Sequence, residues 1–130
     1  MDGQQETIKD SGERSTFTTG AQRDAQQGKG RFDLIPLDFL FEYAKLLEQG
    51  ALKYEARNWE QGIPLSRFVD SGMRHLFKYL RGDRDEPHLI QAMFNFIGLY
   101  QTTLWIEQGK LSMSLNDIPN HPIIQDDKIE

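Results

Sequence analysis

The chain has 130 residues, no cysteine, and 20 acidic against 15 basic side chains, for a formal net charge of -5. Its length argues for one domain, and the lack of thiols excludes a disulfide framework, a zinc–thiolate site and a cysteine nucleophile. The negative balance weighs against nonspecific nucleic-acid binding but leaves room for a small phosphorylated ligand.

Residues 1–27 are rich in Gln, Thr, Ser, Asp and Gly and lack apolar periodicity. They read as a flexible arm, without the apolar core of a secretory signal. No apolar run approaches the roughly 18 residues that a membrane helix needs. A cytoplasmic protein that engages neither membrane nor nucleic acid is therefore expected. Gly28-Lys29-Gly30-Arg31 is a short basic loop. Lys29 and Arg31 suit phosphate oxygens, although basic glycine loops are common without a ligand.

A first helix is expected from near Pro36, with Leu37, Leu40, Phe41, Ala44, Leu47, Ala51 and Tyr54 on one stripe. Gly50 falls inside it and is read as a point of close packing. Arg57-Asn58-Trp59 lies in a loop. There Asn58 and Trp59 either hold a base, or Trp59 plugs the end of the bundle. A second helix is expected from Pro64 or Ser66 to Leu80, ended by Gly82. A third is expected from about Glu86 to Glu107, with Asp85 as N-cap and Gly109 just past its end. The tail from Lys110 carries Pro119 and Pro122 and reads as an extended arm laid on a surface. The expected organisation is thus an arm over 1–27, an all-α bundle of three main helices over 28–109, and an extended tail over 110–130. The third helix is apolar on nearly every side, so a second copy of the chain is expected to cover it. Phe94, Ile97, Tyr100 and Leu104 are placed near that contact.

Several polar residues interrupt this pattern. Arg67, Asp70, Arg74 and Lys78 form a stripe on the second helix, with His75 beside it. His88, Gln91 and Asn95 line up on the third. Buried polar groups must find hydrogen bonds or a ligand. Asp70 and Arg74 read as a surface ion pair, and His75 as either a capped core histidine or a substrate contact. Asn95 is the hardest to explain without a partner. Glu48, Asp83, Asp85 and His88 offer hard ligands suited to Mg2+ or Mn2+.

Taken in order, these segments resemble a known family. Gly28-Lys29-Gly30-Arg31-Phe32-Asp33-Leu34-Ile35-Pro36 resembles the opening of the phage dATP/dGTP diphosphohydrolases. The resemblance continues through Lys53-Tyr54, Arg57-Asn58-Trp59 and Arg67-Phe68, then Asp70-Ser71, Arg74-His75-Leu76, Gly82-Asp83, Asp85-Glu86, His88-Leu89 and Asn95. It spans roughly residues 20 to 102 and implies a relative of the MazG-like all-α pyrophosphohydrolases. Such enzymes use carboxylate-held divalent metal, form dimers or tetramers, and convert dATP or dGTP to monophosphate and pyrophosphate. On this reading Glu48, Asp85 and His88 hold metal and serve catalysis. Lys29, Arg31, Lys53, Arg67 and Arg74 meet phosphates, Asn58 and Trp59 hold the base, and His75 and Asn95 complete the substrate site.

Two departures stand out. The E-E-x-x-E and E-x-x-D patterns of MazG-like enzymes are absent, and Gln91 stands where many relatives carry histidine. The second departure motivates an alternative reading: a protein that binds nucleotides without cutting them, such as a nucleotide sponge. A structural helical oligomer is the blandest option.

Overall fold

A computed structural model describes residues 6–125. The outermost parts of the expected arm and tail, residues 1–5 and 126–130, lie outside the described residues. The chain divides into an N-terminal unit ending at Ile35 and a helical unit starting at Pro36.

The N-terminal unit holds a feature that apolar periodicity does not reveal. Strands β1 (Arg14–Thr16) and β2 (Gln22–Asp24) pair antiparallel, with Arg14 opposite Asp24, inside the stretch expected to be an arm without strands. The hairpin is held by polar groups. Asp24 accepts from Ser11 Oγ at 2.5 Å and from Lys29 Nζ at 2.9 Å, while Asp10 accepts from Arg14 at 2.7 Å. The Ser11 hydroxyl and then the Lys29 ammonium hold the Asp24 carboxyl far below the usual carboxylate range.

The helical unit matches the expected order: α1 (Leu37–Lys53), α2 (Leu65–Arg81) and α3 (His88–Glu107). Each helix directly follows a proline, at Pro36, Pro64 and Pro87, and none of these provides a side-chain cap. Asp85 is therefore not the N-cap of α3, contrary to expectation. Its carboxylate turns instead to His88. Gly82, at φ 94°, ends α2 as expected. Gly82 N–H donates to the Tyr79 carbonyl and Asp83 N–H to the Lys78 carbonyl, a pairing that closes a helix on a left-handed glycine. Gly109 repeats it after α3, with Lys110 N–H on the Trp105 carbonyl at 2.8 Å.

The core lies where α2 crosses α3. Leu65, Phe68, Ala92 and Ile106 are its buried apolar side chains. Two glycines permit the crossing. A Cβ on Gly98 would sit 2.5 Å from Phe68 Cε1, and one on Gly72 would sit 2.6 Å from Phe96 Cε1. Gly50, read from the sequence as the close-packing glycine, has nothing within 4 Å of its would-be Cβ. The periodicity of α1 shows where a glycine interrupts a stripe but not whether a neighbour crosses there.

The tail is fastened to this unit. Ser66 N–H donates to Asp117 Oδ1 at 2.8 Å and Ser66 Oγ–H to Oδ2 at 2.6 Å. Asp117 thus caps the start of α2, where Pro64 offers no acceptor. The Ser66 hydroxyl, with its backbone N–H, lowers the Asp117 pKa. A carboxyl with a lowered folded pKa stabilises above its unfolded value and ceases to do so as pH falls through the folded one. Asp117→Ala is therefore expected to lower the Tm by roughly 2–6 °C at neutral pH, with the gap to wild type closing in strong acid. Thermal melts followed by circular dichroism check this, and equal Tm values at pH 7 would show that the tail does not cap α2.

No helix among the described residues is long and apolar enough to cross a membrane.

Candidate metal centre and substrate cleft

The α2–α3 connection gathers the chemistry. The glycine closure at Gly82 places Asp83 just beyond α2. Asp85 follows in the turn, and His88 opens α3. Ligand atoms of Asp83, Asp85 and His88 all lie within 4.8 Å of one another. His88 is only 2% exposed, and its ring is held on both sides. Nε2 lies 2.8 Å from Asp85 Oδ1, and Nδ1 lies 3.0 Å from His75 Nδ1 across the helix pair.

Electrostatics favours ionised ligands here. The Asp85 carboxyl is held below the usual range, first by the hydrogen bond from His88. Asp83 is lowered first by the Arg81 guanidinium, with which it forms an ion pair. Burial, then the neighbouring His88, lowers the His75 pKa. Two carboxylate oxygens and an imidazole nitrogen are hard or borderline donors that fit Mg2+ or Mn2+.

This group borders an open cleft of about 1010 Å³. The start of α1 forms the facing wall, with Asp38, Phe39 and Glu42, and α3 adds Leu89, Ile90 and Met93. One part of the cleft is therefore acidic and another apolar. Asp38 and Glu42 escaped the sequence reading, although their spacing of four puts both on one face of α1.

The other expected site residues take varied positions. Glu48 and Lys53 are exposed on α1, and neither lines this cleft. Arg67 is exposed on α2, and Arg74 pairs with Asp70 at 3.3 Å, the surface pair expected. Asn95 is buried, and its amide donates to the Gln91 carbonyl at 2.8 Å, so its partner lies in its own helix. Gln91 Nε2 donates to Glu86 at 2.9 Å. Trp59 stacks on Trp105 with ring centres 5.8 Å apart and meets the edge of Phe94 at 6.2 Å. Trp59 is thus packed within the helical unit, and Asn58 is half-buried beside it. In the N-terminal unit, Lys29 pairs with Asp24 and Arg31 with Asp33, so both basic side chains already have carboxylate partners.

The sequence model of dATP/dGTP diphosphohydrolase, N-terminal, matches residues 19–110. The chain belongs to this family. The matched stretch includes all three helices and the whole Asp83–Asp85–His88 group of this dATP/dGTP diphosphohydrolase relative. Comparison with curated proteins and with solved structures gives no match. The Asp117 cap lies beyond the stretch that the family model matches.

Proposed function

We propose that this chain hydrolyses purine deoxynucleoside triphosphates, dATP or dGTP, to the monophosphate and pyrophosphate with Mg2+ or Mn2+. The observation that carries the reading is the acidic group Asp83–Asp85–His88 at the edge of an open cleft, inside the family-matched residues. Bare carboxylates repel a triphosphate, so an acidic cleft suits this substrate only when cations bridge the two. A bound divalent ion would neutralise phosphate charge and lower the pKa of an attacking water.

The chain's own residues supply the rest. Asp83 and Asp85 present ionised oxygens, and the buried His88 ring presents Nε2 in a fixed direction. The apolar wall of Phe39, Leu89, Ile90 and Met93 suits the face of a purine. Water attack then breaks the α–β phosphoanhydride, and pyrophosphate leaves. Glu48, Lys53, Arg67 and Arg74 are proposed to meet the substrate or its cations in the assembled protein. The resemblance supports a role in the nucleotide pool of a phage-infected cell.

The test is incubation of purified chain with Mn2+ and each deoxynucleotide, with products resolved by chromatography. dAMP or dGMP plus pyrophosphate is expected; release of inorganic phosphate alone would refute the cut position. The second reading, nucleotide binding without hydrolysis, is motivated by Gln91, which the resemblance sets where many relatives carry histidine and which here donates to Glu86. Calorimetric binding with no metal-dependent product would select it.

Assembly is part of the proposal. Large apolar side chains stay open on all three helices: Leu37 is 78% exposed, Phe41 64%, Phe77 57%, Leu80 73% and Tyr100 72%. Ile97 is also open, whereas Phe94, expected at a subunit contact, is engaged by Trp59 within the chain. A second copy covering these faces would remove a liability that monomeric proteins rarely carry. Light scattering is expected to give about 30 or 60 kDa, twice or four times the chain's 15.1 kDa. A mass near 15.1 kDa would refute assembly.

A further inference from the structure

We propose that His75 is a positioning residue for the metal centre, acting through its 3.0 Å ring-to-ring contact with Nδ1 of His88. The inference rests on His88 being a metal ligand, as proposed above. His75 comes from α2 and His88 from the first turn of α3, so the contact also ties the two helices at the edge of the cleft.

A carboxylate oxygen only accepts, so in the metal-free chain His88 Nε2 carries the proton that fills the 2.8 Å contact with Asp85 Oδ1. His88 Nδ1 is then an acceptor, and His75 Nδ1–H is its donor. A nitrogen that holds a cation cannot hold a proton. Were Nε2 to hold a cation, the His88 proton would sit on Nδ1 and donate to His75 Nδ1, while His75 would carry its own proton on Nε2. Each ring holds one proton in both arrangements, so the balance closes without a further acid or base. An imidazole opposite Nδ1 serves both states, because the same atom can donate or accept. A partner of this kind fixes ligand orientation, and losing it typically costs about 10- to 100-fold in metal affinity. His88 is almost wholly buried, so solvent is poorly placed to stand in for His75.

The test uses the full chain. Long-range 15N NMR of the metal-free wild type is expected to show His88 protonated at Nε2. Protonation at Nδ1 alone would overturn the inference. Mn2+ titration followed by electron paramagnetic resonance is expected to show at least about tenfold weaker binding in His75→Phe, with unchanged helicity. His75→Asn places an amide near the Nδ1 position and is expected to recover affinity to within about threefold of wild type. Wild-type affinity in a folded His75→Phe, or no recovery in a folded His75→Asn, would overturn the positioning role. If His75→Phe does not fold, the wild-type spectrum and the Asn variant decide. If wild-type chain binds no Mn2+ at millimolar concentration, the metal reading itself fails. In that case the His88 tautomer still reports separately on the contact.

Discussion

Gly98→Val is expected to abolish the cooperative thermal melt. An alanine in mid-helix normally gains about 1 kcal/mol over glycine. At Gly98 that gain is outweighed, because the first added carbon would lie 2.5 Å from Phe68 Cε1 and 2.9 Å from Cζ. Phe68 is 2% exposed, so its ring has no open space to swing into. Overpacking of this kind costs about 1–3 kcal/mol and occasionally more, and valine adds two further methyls at the same crossing. Gly50→Ala provides the contrast. Its Cβ would meet nothing within 4 Å, so this variant is expected to melt at or slightly above the wild-type temperature. Circular dichroism melts of both variants check the pair. A wild-type melt for Gly98→Val would mean that α2 and α3 do not cross at Phe68.

Asp85→Asn is expected to reduce Mn2+-dependent pyrophosphate release at least about 100-fold. The substitution preserves shape and removes two things together. It deletes an ionised oxygen from the group formed with Asp83 and His88. It also replaces the carboxylate that accepts from His88 Nε2 with an amide that can present a donor there. Asp85 is an exposed loop residue whose structural partner is His88 alone among the described hydrogen bonds of its side chain, so the fold should survive. Steady-state turnover with dATP and dGTP, beside a melt to confirm folding, is the measurement. A folded Asp85→Asn chain retaining more than about a tenth of wild-type turnover would remove Asp85 from the metal centre.

The helices were legible because local rules place them. A proline precedes each of the three helices, apolar residues recur at helical spacing along them, and a glycine closes the second and third, each cue acting within a few residues of itself. The order of family motifs was legible for the same reason, and the family match covers the stretch that the resemblance named. Of the polar residues singled out on the second and third helices, Asp70, Arg74, His75, His88, Gln91 and Asn95 each make a polar side-chain contact.

What those partners are was decided only in three dimensions. The hairpin of β1 and β2 is closed by Ser11, Arg14, Asp24 and Lys29, so it leaves no apolar alternation to read. Glycines at positions 50, 72 and 98 look alike in a helical pattern, yet only the last two meet an aromatic ring across a helix crossing. Asp38 and Glu42 line the cleft while Glu48, six residues beyond Glu42 on α1, does not. Trp59 found Trp105, and His75 found His88. The sequence by itself determined the three helices and their apolar positions, because periodicity is a property of one helix. The tertiary structure decided which faces meet, because a crossing point depends on side-chain volumes in two helices at once.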